Sequence, residues 1–253
     1  ALRQFVRWAV KTERLAQDPL QYEGGIKNDE KRKRRDVLVE ELAEIVATAR
    51  ADADGRTRMA GDDRAMLYLA AYATGFRRTE LRLLKVEWLR LDATPPGILL
   101  PAGITGKHRK DVVQPLPAWF AAELKAWLGK RSTGPVWTYM PQDVAEMFDR
   151  DRAAARAAWV AAAPEGEARA ERERSDFLKR ETADGEVVFH SHRHAFSSQV
   201  VKHMDLKSAQ RLTRHATTEI LADVYAHSRA SAAAEGVERS IKAPARAGRT
   251  GDQ

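Results

Sequence analysis

Cysteine is absent from this 253-residue chain. Disulfide bonds, thiol nucleophiles and thiolate metal ligands are therefore excluded, and any side-chain nucleophile must be oxygen or nitrogen. The chain also lacks a run of about 18 apolar residues, the length that a membrane span needs. No charged-then-apolar leader opens it, and no Gly-x-x-x-x-Gly-Lys-Ser/Thr phosphate loop occurs. We therefore expect a soluble, cytoplasmic protein.

Positive charge is in excess, with 43 Lys and Arg against 36 Asp and Glu and a formal net charge of +7. Such a balance favours a polyanionic partner but does not by itself establish one. A basic run at 31–35 follows Gly24-Gly25. This stretch is interpreted as a linker that either lies on phosphates or is simply solvated.

The pattern of apolar residues predicts a mainly α-helical α+β fold. Apolar residues recur with helical spacing in five segments, namely 2–18, a segment from Val37, 62–73, 117–128 and 142–180. The last of these has a break at 164–166. Three short segments have the composition of strands and are separated by turn residues, namely 86–91, 98–101 and 111–116. They predict a small antiparallel three-stranded sheet. After Asp184-Gly185 the pattern is helical again, as far as about Ala233.

Two segments in the first half of the chain carry candidate site residues. In Thr74-Gly75-Phe76-Arg77-Arg78-Thr79-Glu80, a carboxylate lies one turn beyond Arg77 and can brace its guanidinium, although an ordinary surface ion pair has the same spacing. Lys107 stands at the tip of the predicted hairpin between the last two strands. It can reach a bound ligand from there, or be merely solvated.

Two further segments lie in the second half. His190 and Arg193 are three residues apart where a helix is predicted to begin. The alternating histidines at 190, 192 and 194 invite a zinc interpretation, but helical ligands prefer spacings of three or four. In the last segment, His215 precedes a predicted helix, capped by Thr217 or Thr218, that carries Tyr225. A tyrosine beside alanine and valine, as here, is by default an aromatic side chain packed in the protein interior.

Taken in order, the four segments resemble the motif boxes of the tyrosine recombinases, the phage integrase family. The resemblance runs from about Val37 to Arg229 and implies a tyrosine recombinase catalytic-domain fold. His192 departs from the box, where leucine is common, and Arg78 leaves open which of two adjacent arginines is used; we prefer Arg77. The resemblance implies a catalytic set of Arg77, Lys107, His190, Arg193, His215 and Tyr225, with Glu80 in support.

The same resemblance implies a chemistry. The two arginines would hold the non-bridging oxygens of a DNA phosphodiester, and the two histidines would take the phenol proton or orient the phosphate. Tyr225 would attack to give a 3′-phosphotyrosyl intermediate, and Lys107 would protonate the leaving 5′ oxygen. Such a reaction needs no cofactor, metal or ATP.

The implied organisation is one catalytic domain with attached arms. We expect 1–22 to be the last helix of a truncated N-terminal core-binding domain, 23–36 a basic linker, 37–232 the catalytic domain, and 233–253 a partly disordered tail. The expected partner is double-stranded DNA, bound by a homotetramer on two sites. The protein is expected to be of bacterial or phage origin, cytoplasmic and associated with the nucleoid. The need for a directionality factor stays open.

Three other interpretations compete with a recombinase. The chain could be a non-catalytic DNA-binding remnant of an integrase, a type IB topoisomerase-like enzyme, or a zinc-dependent hydrolase built on the alternating histidines. The Ala/Arg/Glu-rich stretch at 142–180 matches no motif.

Overall fold

A computed structural model of the chain describes residues 2–21, 33–52, 58–104 and 111–214. The chain divides into two compact units, Ala1–Lys33 and Arg34–Gln253. The described part of the smaller unit contains one helix, α1 (Leu2–Lys11). This helix ends earlier than its apolar pattern predicts, because Glu13 adopts a left-handed backbone conformation with a φ of 57°. No described helix is long and apolar enough to cross a membrane.

The larger unit is mainly helical, as predicted. Its described helices are α2 (Val39–Arg50), α3 (Gly61–Thr74), α4 (Arg78–Leu83), α5 (Ala118–Leu128), α6 (Val144–Ala161), α7 (Glu167–Arg174), α8 (Ser191–His203) and α9 (Leu206–Thr213). Its described strands are β1 (Leu89–Arg90), β2 (Gly97–Leu100), β3 (Val112–Pro115), β4 (Glu181–Thr182) and β5 (Gly185–Glu186).

The predicted three-stranded sheet is confirmed in the order β1-β2-β3, with both pairs antiparallel. Ile98 and Leu100 of β2 are fully buried, so one face of the sheet covers the core. The predicted first strand is wrong over its first half, because Val86–Trp88 is a 3₁₀ turn. There the N–H of Val86 donates to the carbonyl of Gly134, outside the sheet. The short β4–β5 hairpin was not predicted from the sequence.

Helix α3 is the centre of the core, since nearly every residue along it is buried. It packs against α2, α5 and α8, and its alanines allow close approach from several sides. Arg64 of α3 is fully buried and pairs with Asp151 of α6, with its Nε 2.8 Å from the carboxylate Oδ2. The hydroxyl of Tyr68 donates to the same oxygen at 2.8 Å. The unassigned stretch at 142–180 thus supplies a helix that the core depends on.

Candidate active site

A tight turn between α3 and α4 positions Arg77. Gly75 ends α3 with a φ of 61°, and its N–H donates to the carbonyl of Ala71. A Cβ at this position would lie only 2.4 Å from the ring of Phe196, so glycine is required by both conformation and space. The turn brings Arg77 to the start of α4.

Glu80 braces Arg77 from within the same helical turn. The backbone N–H of Arg77 donates to Oε2 of Glu80 at 2.8 Å, and its Nη1 donates to Oε1 at 3.2 Å. Glu80 is buried, whereas the side chain of Arg77 is 42% exposed. One side of the Arg77 guanidinium is therefore held by Glu80, and the other side is open to solvent.

Helix α8 positions the second arginine. His190 directly precedes the helix, and Arg193 lies one turn further on and is only 3% exposed. Nη1 of Arg193 donates to the carbonyl of Gly75 at 2.5 Å, and its Nη2 donates to the carbonyl of Thr213. Arg193 therefore joins the turn after α3 to the end of α9.

Both arginines meet at the end of α9. Nη2 of Arg77 donates to the carbonyl of Arg214 at 3.3 Å, next to the carbonyl of Thr213 that receives Arg193. Carbonyls at a helix C-terminus carry partial negative charge and attract cations. A guanidinium has five N–H donors, so each arginine keeps donors for a further acceptor. The guanidinium groups of Arg77 and Arg193 thus lie side by side.

The cluster sets the protonation of His190. Partial desolvation of the ring, followed by the positive charges of Arg34 and Arg193, lowers the pKa of His190 to about 4. The imidazole is therefore neutral at neutral pH and can accept a proton. Burial lowers the pKa of Arg193 to about 9, which still leaves it charged.

A cavity of about 340 Å³ opens beside these groups. His190 and Arg193 line it together with Arg34 and Arg78. Arg34 was not predicted as a site residue; its position in the basic run at 31–35 was the only signal in the sequence. Arg78 lies on the cavity side, and its Nη1 also donates to the carbonyl of Gln142.

The fold agrees with the comparison of the chain with known families. The family model described as the phage integrase family matches residues 37–232, which is most of the chain. This chain belongs to the phage integrase family. The family membership predicted from the four motif boxes is confirmed.

Individual relatives are more distant. The curated tyrosine recombinase XerA of Thermococcus kodakarensis is 28% identical over 165 residues, which are 63% of this chain and 50% of the relative. A solved XerH recombinase bound to palindromic difH substrate superimposes with a TM-score of 0.55 at 20% identity, over 87% of this chain and 57% of that one. The Tn1549 transposon integrase in complex with circular intermediate DNA gives a TM-score of 0.58 at 14% identity, over 95% and 77%. These structures show the fold, and the chain spans about half the length of the curated relative.

Three of the predicted integrase residues, Lys107, His215 and Tyr225, lie outside the described residues. Those that the structure describes, Arg77, His190 and Arg193, come together although the first is far from the others in the chain. The segment that contains Lys107 connects β2 to β3. The assignment of all six as catalytic residues stays a prediction.

The alternating histidines do not converge. His192 is fully buried among Tyr68, Phe148 and Phe189, and its Nδ1–H donates to the carbonyl of Phe189 at 2.8 Å. His194 pairs instead with Asp36 through Nδ1. Within the ranges that the structure describes, no group of three His, Cys, Asp or Glu could hold a metal ion. The zinc interpretation therefore has no geometric support.

Sequence reasoning missed a second residue of the cluster besides Arg34. Arg214 is 5% exposed, and its Nη2 donates to Oε2 of Glu80 at 3.0 Å. The only signal in the sequence was its position immediately before His215. Its contacts could not be predicted because Glu80 is 134 residues away in the chain.

Proposed function

We propose that this chain is the catalytic part of a site-specific DNA recombinase, which cuts and rejoins DNA through a 3′-phosphotyrosyl bond to Tyr225. The observation that carries the proposal is the meeting of Arg77 and Arg193 at the end of α9, beside a neutral His190. Membership of the phage integrase family supports it.

The proposed DNA cleavage follows from the positive charges of Arg77 and Arg193. Attack on a phosphodiester builds negative charge on two non-bridging oxygens, and two fixed guanidinium groups offer planar donor pairs to those oxygens. Because Arg77 is braced by Glu80 and Arg193 by two carbonyls, neither has to reorganise when the charge develops. A neutral His190 can accept a hydrogen bond or a proton from the incoming phenol or a water molecule.

Bond exchange then proceeds without an external energy source. The phenol oxygen of Tyr225 forms a bond to phosphorus while the bond to the 5′ oxygen breaks, and Lys107 gives that oxygen its proton. The phosphotyrosyl ester retains the energy of the broken diester. A 5′ hydroxyl can therefore reverse the reaction on another strand, with neither ATP nor a metal taking part.

The proposed partner is double-stranded DNA. The formal charge of +7 and the arginine-lined cavity suit a phosphate backbone. XerH and the Tn1549 integrase were both solved with DNA, and the XerH structure is a post-cleavage complex. We further propose a homotetramer on two DNA sites, as the family resemblance implies, which would allow two pairs of strands to be exchanged.

A covalent trap tests the proposal. The chain would be incubated with nicked genomic fragments that span its own gene and the neighbouring genes, and protein–DNA adducts would be isolated under denaturing conditions and sequenced. We expect adducts at a small set of sequences. Tyr225→Phe should abolish them, and Arg77→Lys or Arg193→Lys should slow their formation about 10²- to 10³-fold, as loss of a transition-state donor does.

The matched control is Tyr139→Phe, which removes the hydroxyl of another tyrosine, 39% exposed on the surface, and should leave adduct formation unchanged. Adducts that persist in Tyr225→Phe would refute the proposed nucleophile. DNA binding without any adduct would favour the non-catalytic remnant. Adducts at unrelated sequences, together with relaxation of any supercoiled plasmid, would favour the topoisomerase-like alternative.

A further inference from the structure

Arg214 occupies an unfavourable backbone conformation in a buried place. It follows the last residue of α9 with a φ of 54° and a ψ of 39°, in the left-handed region that a Cβ disfavours and glycine adopts freely. Its side chain is only 1% exposed. A large charged residue in such a position needs strong side-chain contacts to offset both penalties.

The contacts of Arg214 join three separate parts of the fold. Its Nη2 donates to Glu80 of α4 at 3.0 Å, and its Nη1 donates to Oε1 of Gln114 in β3. Its guanidinium carbon lies 4.5 Å from the ring centre of Phe76, in the turn between α3 and α4. Gln114 is itself 1% exposed, so this link is shielded from water.

The carboxylate of Glu80 is shared between two arginines. Burial alone would raise the pKa of Glu80, but the charges of Arg214 and Arg77 outweigh that effect and hold the pKa below its ordinary value. The three groups together carry one net positive charge. Without Arg214, Glu80 would balance Arg77 alone, and less positive charge would remain to stabilise the charge that develops in the transition state.

We propose that Arg214 is a positioning residue for the DNA strand cleavage assigned to this site. Its guanidinium fastens the end of α9, from which His215 follows, to Glu80 beneath Arg77 and to β3, the strand that follows the Lys107 segment. It acts through these groups and not on DNA, because Arg193 lines the cavity beside the site, whereas Arg214 is not among the described residues that line it. The inference rests on the proposed function.

Three substitutions separate the contributions of Arg214. Arg214→Met removes both the positive charge and the paired N–H donors of the guanidinium. Arg214→Lys keeps the charge but not the paired donors. Arg214→Gly removes the whole side chain and also the strain of the left-handed backbone conformation. Each would be measured in the 253-residue chain, in single turnovers at saturating concentration of the DNA fragment trapped by the wild type. The matched control is Arg174→Met on α7, where the side chain is 65% exposed and pairs with Glu167.

We expect cleavage to slow about 10²-fold in Arg214→Met and Arg214→Gly, because misplacement of a catalytic group by about 1 Å has an effect of this size. Arg214→Lys should recover part of the rate. DNA affinity should change less than about 3-fold in all three, since the effect lies in transition-state geometry. The control should cleave and bind as the wild type does.

A double-mutant cycle tests the link to β3. Gln114→Met alone should slow cleavage roughly 10-fold, and Arg214→Met/Gln114→Met should be no slower than Arg214→Met, because groups that act as a unit are not additive. Thermal melting of every variant would show whether it folds. If Arg214→Met unfolds, Arg214→Lys and Gln114→Met carry the same comparison.

Wild-type rates in folded Arg214→Met, or in folded Arg214→Lys and Gln114→Met if Arg214→Met unfolds, would overturn the inference and leave the proposed function intact. A slow variant whose defect lies wholly in DNA affinity would also overturn it. If neither the wild type nor Arg174→Met forms an adduct, the proposed function itself fails, and the role of Arg214 fails with it.

Discussion

Replacing His192 with leucine should make the protein more resistant to acid. His192 is fully buried, and its Nδ1–H donates to the carbonyl of Phe189. Its Nε2 has no partner among the residues that the structure describes. Burial lowers the pKa of His192 to about 4, and the hydrogen bond to Phe189 offsets this only in part. The folded state therefore holds the ring neutral where the unfolded chain would protonate it.

The sign and size of the effect follow from this difference. A depressed folded-state pKa means that the unfolded chain binds more protons, so stability is lost as pH falls from 6.5 towards 4. With a pKa of about 4 in the folded state and the ordinary 6.5 in the unfolded chain, this group destabilises the fold by about 2 kcal/mol at pH 5. At pH 7 the same calculation gives less than about 0.2 kcal/mol.

Urea unfolding, followed by tryptophan fluorescence at pH 7, 6 and 5, would measure this pH-dependent loss of stability. Between pH 7 and pH 5, the free energy of unfolding of His192→Leu should fall by about 2 kcal/mol less than that of the wild type. At pH 7 the two should lie within about 1 kcal/mol, because the lost hydrogen bond is balanced by removal of an unpaired buried nitrogen. His203→Gln, at an exposed position on the same helix, is the control and should follow the wild type. Parallel loss of stability in wild type and His192→Leu would refute the reasoning.

Two further predictions concern the core and the turn at the site. Asp151→Ala should lower the free energy of unfolding by about 2 to 4 kcal/mol, because it removes one of the two carboxylates that pair with the buried Arg64 and takes away the acceptor of the Tyr68 hydroxyl, while Asp52 still pairs with Nη2 of Arg64. Urea midpoints would show this, and a loss under about 1 kcal/mol would contradict it. Gly75→Ala should destabilise the fold by at least about 2 kcal/mol, since the new methyl group would meet the ring of Phe196 in a left-handed backbone. Thermal melting would check it, and an unchanged melting temperature would contradict it.

The fold class could be predicted because helices and strands leave regular apolar patterns. Helix α3 and the β2–β3 pair follow the predicted segments closely. The β4–β5 hairpin has only two residues in each strand, too few for any period to be visible. Val86–Trp88 has strand-forming composition, but its hydrogen bonds go elsewhere, and only the tertiary contacts decide that.

The site was predictable where a residue type and a local spacing point to chemistry. The spacing of Arg77 and Glu80 predicts their ion pair, and the structure contains it. Arg34 and Arg214 enter the cluster through contacts between segments far apart in the chain, and local spacing carries no information about those. The pair of Arg64 and Asp151, 87 residues apart, could not be predicted for the same reason.

The end of α9 receives a hydrogen bond from a residue that is separated from it by more than half of the chain, since Arg77 lies 137 positions away from its acceptor. A nascent polypeptide cannot make this contact until residue 214 has left the ribosome. Intermediates that lack α9 would hold Arg77 and Arg193 without their common support. The arginine cluster is therefore completed only after most of the chain has been synthesised.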